Sequence, residues 1–317
     1  VKCLYADYDK TKAVAEIKAL MSNKEAEILS KCTTCCACRE YCPTGADPHD
    51  LIFNSQEKFN TFPVTMKSRM DLAFEVPNQI IPGDPGKPIL SLCVMEKQIP
   101  EDALKSKLFE GLGVVKGGDY FCLIGYLHIG RGTSIGRGAQ KFIDKMTSLS
   151  KDIIFLHDDC YAMVHTKIKD YDISVPFRYM HLFEYMRNYL RDHKNSITKL
   201  GKRIAYQRPC SSRYTPEKDI LLDEIFTLIG VERTSRRFDR EKALCCAAPM
   251  IRVFPQVAQR IQIKNINDAI ESGAQAVITL CPMCDRMLTQ PTVTAGIPKI
   301  FITDLCRMAL GEKAFPE

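Results

Sequence analysis

No stretch of this chain approaches the roughly 18–20 consecutive apolar residues that a spanning helix needs, so no transmembrane segment is expected. The opening Val1-Lys2-Cys3-Leu4-Tyr5-Ala6-Asp7 also lacks the apolar core of a signal peptide. Secretion, and with it a disulfide framework, is disfavoured, and a cytoplasmic location is expected, with any membrane association supplied by partners. A strong excess of one charge is missing too. The 44 Lys and Arg against 38 Asp and Glu leave +6, a surplus that demands no nucleic-acid partner. With 45% hydrophobic and 26% charged residues over 317 positions, collagen-like, mucin-like and largely disordered classes are excluded. The length suits two or three domains with a sizeable core.

What the chain has in quantity is cysteine. Fifteen residues are Cys, an odd number. That is too many for an inert core and below the about 8–10% of a small disulfide scaffold. Metal ligation or redox chemistry becomes the leading reading.

Residues 9–30 place Ala13, Ile17, Leu20, Met21, Ile28 and Leu29 at a helical period, predicting one amphipathic helix leading into the first cysteine cluster. Pro43, Pro48, Pro63, Pro77, Pro82, Pro85 and Pro88 then predict a connecting region that breaks long elements. Beyond residue 86, short apolar runs such as Ile153–Leu156 and Ala276–Leu280 alternate with helical patterns, which predicts α/β units. Residues 153–160 (Ile-Ile-Phe-Leu-His-Asp-Asp-Cys) match 277–284 (Val-Ile-Thr-Leu-Cys-Pro-Met-Cys) at an offset of 124. That offset carries Cys122 onto Cys246, His157 onto Cys281 and Cys160 onto Cys284, and Val175-Pro176-Phe177 falls on Ile297-Pro298-Lys299 at an offset of 122. The expected organisation is residues 1–85, then two similar halves at 86–194 and 195–317, each setting cysteines at strand ends.

Residues 32–43 contain C-x2-C-x2-C-x3-C-P in Cys32, Cys35, Cys38, Cys42 and Pro43, the bacterial ferredoxin run. A tight loop of this kind wraps three thiolates around a [4Fe–4S] cubane, with backbone N–H groups aimed at the sulfurs. The fourth ligand is open, because the Cys before Pro serves the other cluster in two-cluster ferredoxins. Cys36 is expected to be a spectator in the run, and Cys306, on an apolar helix, a core thiol.

The run resembles the second cluster motif in the ferredoxin-type component of heterodisulfide reductase, in which a cysteine before the intervening helix completes the cluster. Cys3 occupies that kind of place and stands with Cys42 as a candidate, slightly preferred. Residues 86–317 resemble the cysteine-rich Cys-Cys-Gly domain found in the disulfide-splitting component of heterodisulfide reductase and its relatives. The likeness rests on Arg208-Pro209-Cys210, the pair Cys245-Cys246, Leu280-Cys281-Pro282-Met283-Cys284 and the ending Ile302–Gly311. It implies an α/β fold class: a small helical ferredoxin-type N-terminal domain, then two pseudo-repeated Rossmann-like halves. It further implies a non-cubane [4Fe–4S] cluster at Cys210, Cys245, Cys246, Cys281 and Cys284, which would form the catalytic site, and chemistry that splits a disulfide. Ala247 stands where the family usually has Gly, so the turn there is expected to be altered. In the first half, Cys93, Cys122, His157 and Cys160 form a degenerate set. Zinc in a Cys3His site, a modified iron–sulfur cluster and an empty vestige are its three readings. Asp158 and Asp159 either orient the imidazole or face solvent.

Losing one of two facing sites puts complete disulfide splitting in doubt. The expected function is an iron–sulfur electron-transfer subunit of a heterodisulfide reductase-like oxidoreductase complex in anaerobic metabolism. Its partners would be flavin or iron–sulfur redox subunits, with a thiol or disulfide as a potential substrate and no nucleic acid. Two rivals are a disulfide reductase in its own right and a structural cluster or zinc adaptor without turnover. Two weaker features complete the reading. Gly130–Gly138 is expected to be a flexible loop rather than a phosphate site. The Arg236–Lys242 run is expected to be a solvated charged loop.

Overall fold

The computed structural model describes residues 3, 5–6, 8–251 and 254–316. Asp9 starts the first helix, its carboxylate accepting the Lys12 N–H at 2.8 Å, a bond that satisfies an otherwise orphaned amide. The segment expected to be one helix is two. Helix α1 (Lys10–Met21) stops short of Asn23, whose φ of 62° is left-handed, and α2 (Ile28–Lys31) is a separate turn. The Glu16 carboxylate accepts the Ile28 N–H at 2.8 Å and holds the chain folded back. Leu20, Ile28 and Leu29 thereby meet in one small core with Ile52. The proline-rich stretch likewise departs from expectation. Pro48 opens an 11-residue helix, α4 (Pro48–Lys58), after α3 (Ala37–Glu40). In the first turn a proline's missing N–H removes no helical bond, so the element survives. Helix α5 (Val64–Asp71) buries no side chain of its own.

The rest is mixed α/β with two sheets. The first comprises β1 (Gln79–Ile81), β2 (Ile89–Cys93), β3 (Gly113–Lys116), β4 (Ile153–Phe155) and β5 (Tyr179–His181), in the order β1-β3-β2-β4-β5. Only β1 is antiparallel, and it pairs with β3 from before residue 86. The second comprises β6 (Lys202–Gln207), β7 (Val231–Arg233), β8 (Ala276–Thr279) and β9 (Lys299–Phe301), all parallel in the order β7-β6-β8-β9. The four parallel strands of each sheet thus run second, first, third, fourth in chain order. Strands β5 and β9 begin at Tyr179 and Lys299, an offset of 120 rather than 122.

Helices α6 (Gly132–Thr147), α7 (Asp158–His165) and α8 (Leu182–Asp192) follow strands of the first sheet, and α9 (Asp219–Ile229), α10 (Pro255–Glu271), α11 (Pro282–Ala295) and α12 (Ile302–Ala309) those of the second. The two sheets share one core: Leu90, Ile154 and Phe183 pack in the same cluster as Ile204, Ile278, Phe301 and Cys306. The loop expected at Gly130–Gly138 is instead the start of α6. Its glycines serve close packing: a Cβ at Gly132, Gly136 or Gly138 would meet Phe53, Tyr171 or Leu123 at 2.4, 3.0 and 2.8 Å. The Arg236–Lys242 run is not simply solvated either. Arg236 donates to the Tyr206 carbonyl at 2.8 Å and to Asn265 at 3.0 Å, and Phe238 is buried. Among the described residues no helix is long and apolar enough to cross a membrane.

Candidate metal centre

A parallel sheet delivers its loop residues to one rim, outside the carboxyl ends of the strands. Cys210 follows β6, the pair Cys245-Cys246 lies in the loop after β7, and Cys281 and Cys284 open α11 directly after β8. Three loops thus bring the five thiols into a continuous run. Cys210 Sγ lies 3.2 Å from Cys245 Sγ, and side-chain contacts continue from Cys245 to Cys246, from Cys246 to Cys284 and from Cys284 to Cys281. Hydrogen bonds from Cys210 and Cys246 hold Cys245 well below its ordinary value. Cys210 is pushed well up, by its bond to Cys245 and then by burial. Buried thiols clustered in this way form a soft donor set suited to iron or zinc, which binds the deprotonated form. Ala247 adopts a φ of 61° and its N–H donates to Cys245 Sγ at 3.2 Å. The altered residue keeps the left-handed turn at which glycine carries no Cβ penalty.

In the first half Cys93, Cys122 and Cys160 are fully buried with their sulfurs within 4.8 Å of one another. The Cys122 N–H donates to Cys93 Sγ at 3.4 Å. His157, expected as the fourth member, does not join this group. From the N-cap of α7 its imidazole reaches the facing half, with Nε2 3.3 Å from Cys281 Sγ. An imidazole extends farther from its Cα than a thiol does, so at this position it bridges to the opposite rim where a cysteine would stop short. Asp159 sits 3.6 Å from His157 Nδ1. Burial disfavours the charged ring, but Asp159 and Cys281 outweigh it and push His157 up to about 10. Cys281 is drawn down to about 6 by its bond from Cys284 and then by His157. Asp158 does neither of the things expected of it. It is fully buried and pairs with Lys218 at 2.6 Å.

Cys93 and Cys122 of the first set and all five thiols of the second line one cavity of about 500 Å³. Met66, Met70, Met95, Met283 and Phe121 make its walls soft and apolar, and Arg69 and His128 add polar groups.

The ferredoxin-type run packs against both halves: Thr34 lies 3.1 Å from His128 Nδ1, and Cys36 packs in the same cluster as Cys93 and Cys122. Cys3, Cys32 and Cys38 pack against the small helical core, whereas Cys35 packs with Cys210, Cys245 and Cys246. Burial pushes up Cys32, Cys35 and Cys38, each further affected by Cys3. The Thr34 N–H donates to Cys32 Sγ at 3.3 Å, the amide-to-sulfur pattern of a cluster loop. Cys42 stands apart: its thiol contacts Thr44 Oγ1 at 3.3 Å, and hydrogen bonds from Thr44 hold it below its ordinary value. Cys36, at a φ of 60°, is turned inward, with Sγ 3.6 Å from His49 Nε2.

Several residues here escape motif reading. Tyr5 Oη accepts the Cys245 N–H at 2.6 Å. Burial, then Cys35 and Cys245, push its hydroxyl well above the ordinary value, so it is a neutral phenol. Glu40, in the turn after Cys38, accepts Arg208 at 2.8 Å and pairs with Arg213, fastening the ferredoxin-type segment to the Cys210 loop. Only the nearness of Arg208 and Arg213 to Cys210 in sequence hinted at such a role.

Among solved structures, the chain is similar to a hypothetical protein from Helicobacter pylori, at 15% identity and a TM-score of 0.58 over 84% of this chain. It spans 58% of that chain's length, and at this identity the likeness concerns the fold. Glutamate racemase isoform RacE1 from Bacillus anthracis aligns at 8% identity over 71% of this chain and 79% of its own, with a TM-score of only 0.36. No curated protein matches the sequence. Residues 204–289, which hold all five second-half cysteines, match the family model CCG, a cysteine-rich domain, and this match together with the many cysteines of the chain suggests metal or iron–sulfur binding.

Proposed function

We propose that the chain is an iron–sulfur electron-transfer subunit of a heterodisulfide reductase-like oxidoreductase complex. The observation that carries this reading is the meeting of two cysteine sets: Cys35 of the ferredoxin-type run packs in the same group as Cys245 and Cys246. In this reading Cys32, Cys35 and Cys38, with Cys3 as fourth ligand, hold a [4Fe–4S] cubane. Cys210, Cys245, Cys246, Cys281 and Cys284 hold a non-cubane [4Fe–4S] cluster. Cys93, Cys122 and Cys160 hold zinc, three thiolates leaving a fourth position for a non-protein ligand. The equal strand order of the two sheets supports descent of both halves from one unit. When bound, the clusters supply one-electron storage at potentials set by their surroundings. The chain's own residues do the rest. Buried thiols give soft anionic ligands, the Thr34 and Ala247 amides donate to sulfur, and Arg213 places a buried positive charge near Cys35.

The partners in this reading are other redox subunits, flavin or iron–sulfur, of a cytoplasmic complex. The test is elemental analysis of anaerobically purified protein. About eight iron and eight sulfide per chain are expected for two clusters, and about four of each overturns the two-cluster reading.

The cavity favours a second reading, catalysis of disulfide reduction at the same rim. Its 500 Å³ lies within the range of small-molecule sites. EPR of the half-oxidised protein separates the two. A signal changed by added thiol or disulfide supports turnover, and a silent one supports the relay.

A further inference from the structure

Several loops of this chain aim a backbone amide at a cysteine sulfur, among them Thr34 at Cys32, Cys122 at Cys93 and Ala247 at Cys245. The amide of Cys245 is different. It lies within the five-thiol run, yet its hydrogen goes to the Tyr5 hydroxyl at 2.6 Å. Tyr5 comes from the segment that carries Cys3, and it packs in the same group as Cys35, Cys210, Cys245 and Cys246. One side chain therefore touches the backbone of one cysteine set while belonging to the segment of the other.

We infer that Tyr5 is a positioning residue that ties the ferredoxin-type segment to the five-cysteine site and, by holding the Cys245 amide away from sulfur, lowers that site's reduction potential. This rests on the iron–sulfur reading above. Amide hydrogens directed at cluster sulfurs stabilise the reduced, more negative state, so the number that reach sulfur tunes the potential. Tyr5 takes one such hydrogen out of play. Its hydroxyl also fixes the orientation of the peptide preceding the Cys245-Cys246 pair, and with it the direction in which both thiols leave the chain.

The test compares the full-length chain with Tyr5→Phe and Tyr5→Leu, loaded anaerobically and titrated with dithionite under EPR. In Tyr5→Phe the ring and its packing remain and only the acceptor is lost. Iron and sulfide content is expected to be unchanged and the ferredoxin-type signal to stay in place. The five-cysteine site is expected to show altered g-values and an upward shift in potential. At a fixed poise its reduced-to-oxidised ratio should rise by about tenfold, the worth of about one hydrogen bond. Tyr5→Leu should shift the same site in the same direction. A Phe variant indistinguishable from wild type overturns the inference, as does a shift seen only in Leu, which would make packing the cause. Equal shifts at both sites overturn it too. Wild-type protein that assembles no second cluster overturns the iron–sulfur reading instead, so the two failures are told apart before any variant is compared.

Discussion

Cys3 and Cys42 are equivalent candidates by spacing, and their surroundings separate them. Cys42 is near the surface with its thiol engaged by Thr44, whereas Cys3 packs against the core that holds Cys32 and Cys38. Replacing Cys42 by Ser should therefore leave the ferredoxin-type EPR signal intact, while Cys3→Ser should lose most of it. Loss in the Cys42 variant with retention in the Cys3 variant would reverse the assignment. The position of Cys3 before a helix was legible in the sequence. The engagement of Cys42 was not, because it depends on the turn formed by Thr44, Gly45 and Ala46, in which Gly45 takes a φ of 69°. His157 shows the same limit from the other direction. Its alignment with Cys281 was visible at an offset of 124, but its contact with that cysteine requires the two rims to face each other.

At the scale of elements, the loop after β6 and the start of α7 are joined by buried charge. Lys218 and Asp158 have side chains 2% and 0% exposed at 2.6 Å, and Ser212 donates to the same carboxylate at 2.9 Å. His181 completes the arrangement. Its Nδ1 accepts the Phe183 N–H at 3.1 Å, which leaves its hydrogen on Nε2, 3.5 Å from Asp158. Burial draws His181 down to about 3, consistent with a neutral ring. Burial alone would raise the Asp158 carboxyl, but Lys218 first, and then the Ser212 hydroxyl, bring it to about 2. Lys218→Met leaves that carboxylate buried without its cation and should cost about 3–5 kcal/mol, read as a lower midpoint in urea denaturation. An unchanged midpoint would show that the pair is dispensable. The sign with pH follows from the lowered carboxyl. Its contribution is complete above the unfolded value of about 3.9 and is lost as pH falls through about 2. The apolar run Ile153–Leu156 located β4, but the ion pair beyond it spans residues 158 and 218, a separation at which periodicity carries no information.

For the molecule as a whole, the shared core decides how it unfolds. Phe301 and Leu305 at the end of the second sheet pack in one cluster with Leu90, Ile154 and Phe183 of the first, so neither half encloses its apolar surface alone. Phe301→Ala, at a side chain only 2% exposed, should cost about 3–5 kcal/mol. It should lower a single transition seen alike by far-UV and near-UV circular dichroism. Two separated transitions, with only the later half affected, would show that the halves fold independently. The α/β alternation was readable because short apolar runs and amphipathic helices are local patterns. The helical start of α6 was not, since Gly132, Gly136 and Gly138 argue for a loop until Phe53, Tyr171 and Leu123 are seen filling the space that a Cβ would take.

The amino-acid sequence by itself determined where the thiols occur and which local geometry presents them: a tight loop at residues 32–38 and strand ends at 93, 210 and 281. Backbone propensity, hydrophobic period and cysteine spacing act over a few residues, so they can be read without the fold. Tertiary structure alone decided which thiols share a site. It placed Cys35 and Tyr5 beside Cys245, turned His157 from its own trio to Cys281, and opened one cavity to both halves. Those contacts join residues 124 and 240 positions apart. They exist because burying the common core presses the two rims and the N-terminal segment together, a constraint that no local stretch of the chain contains.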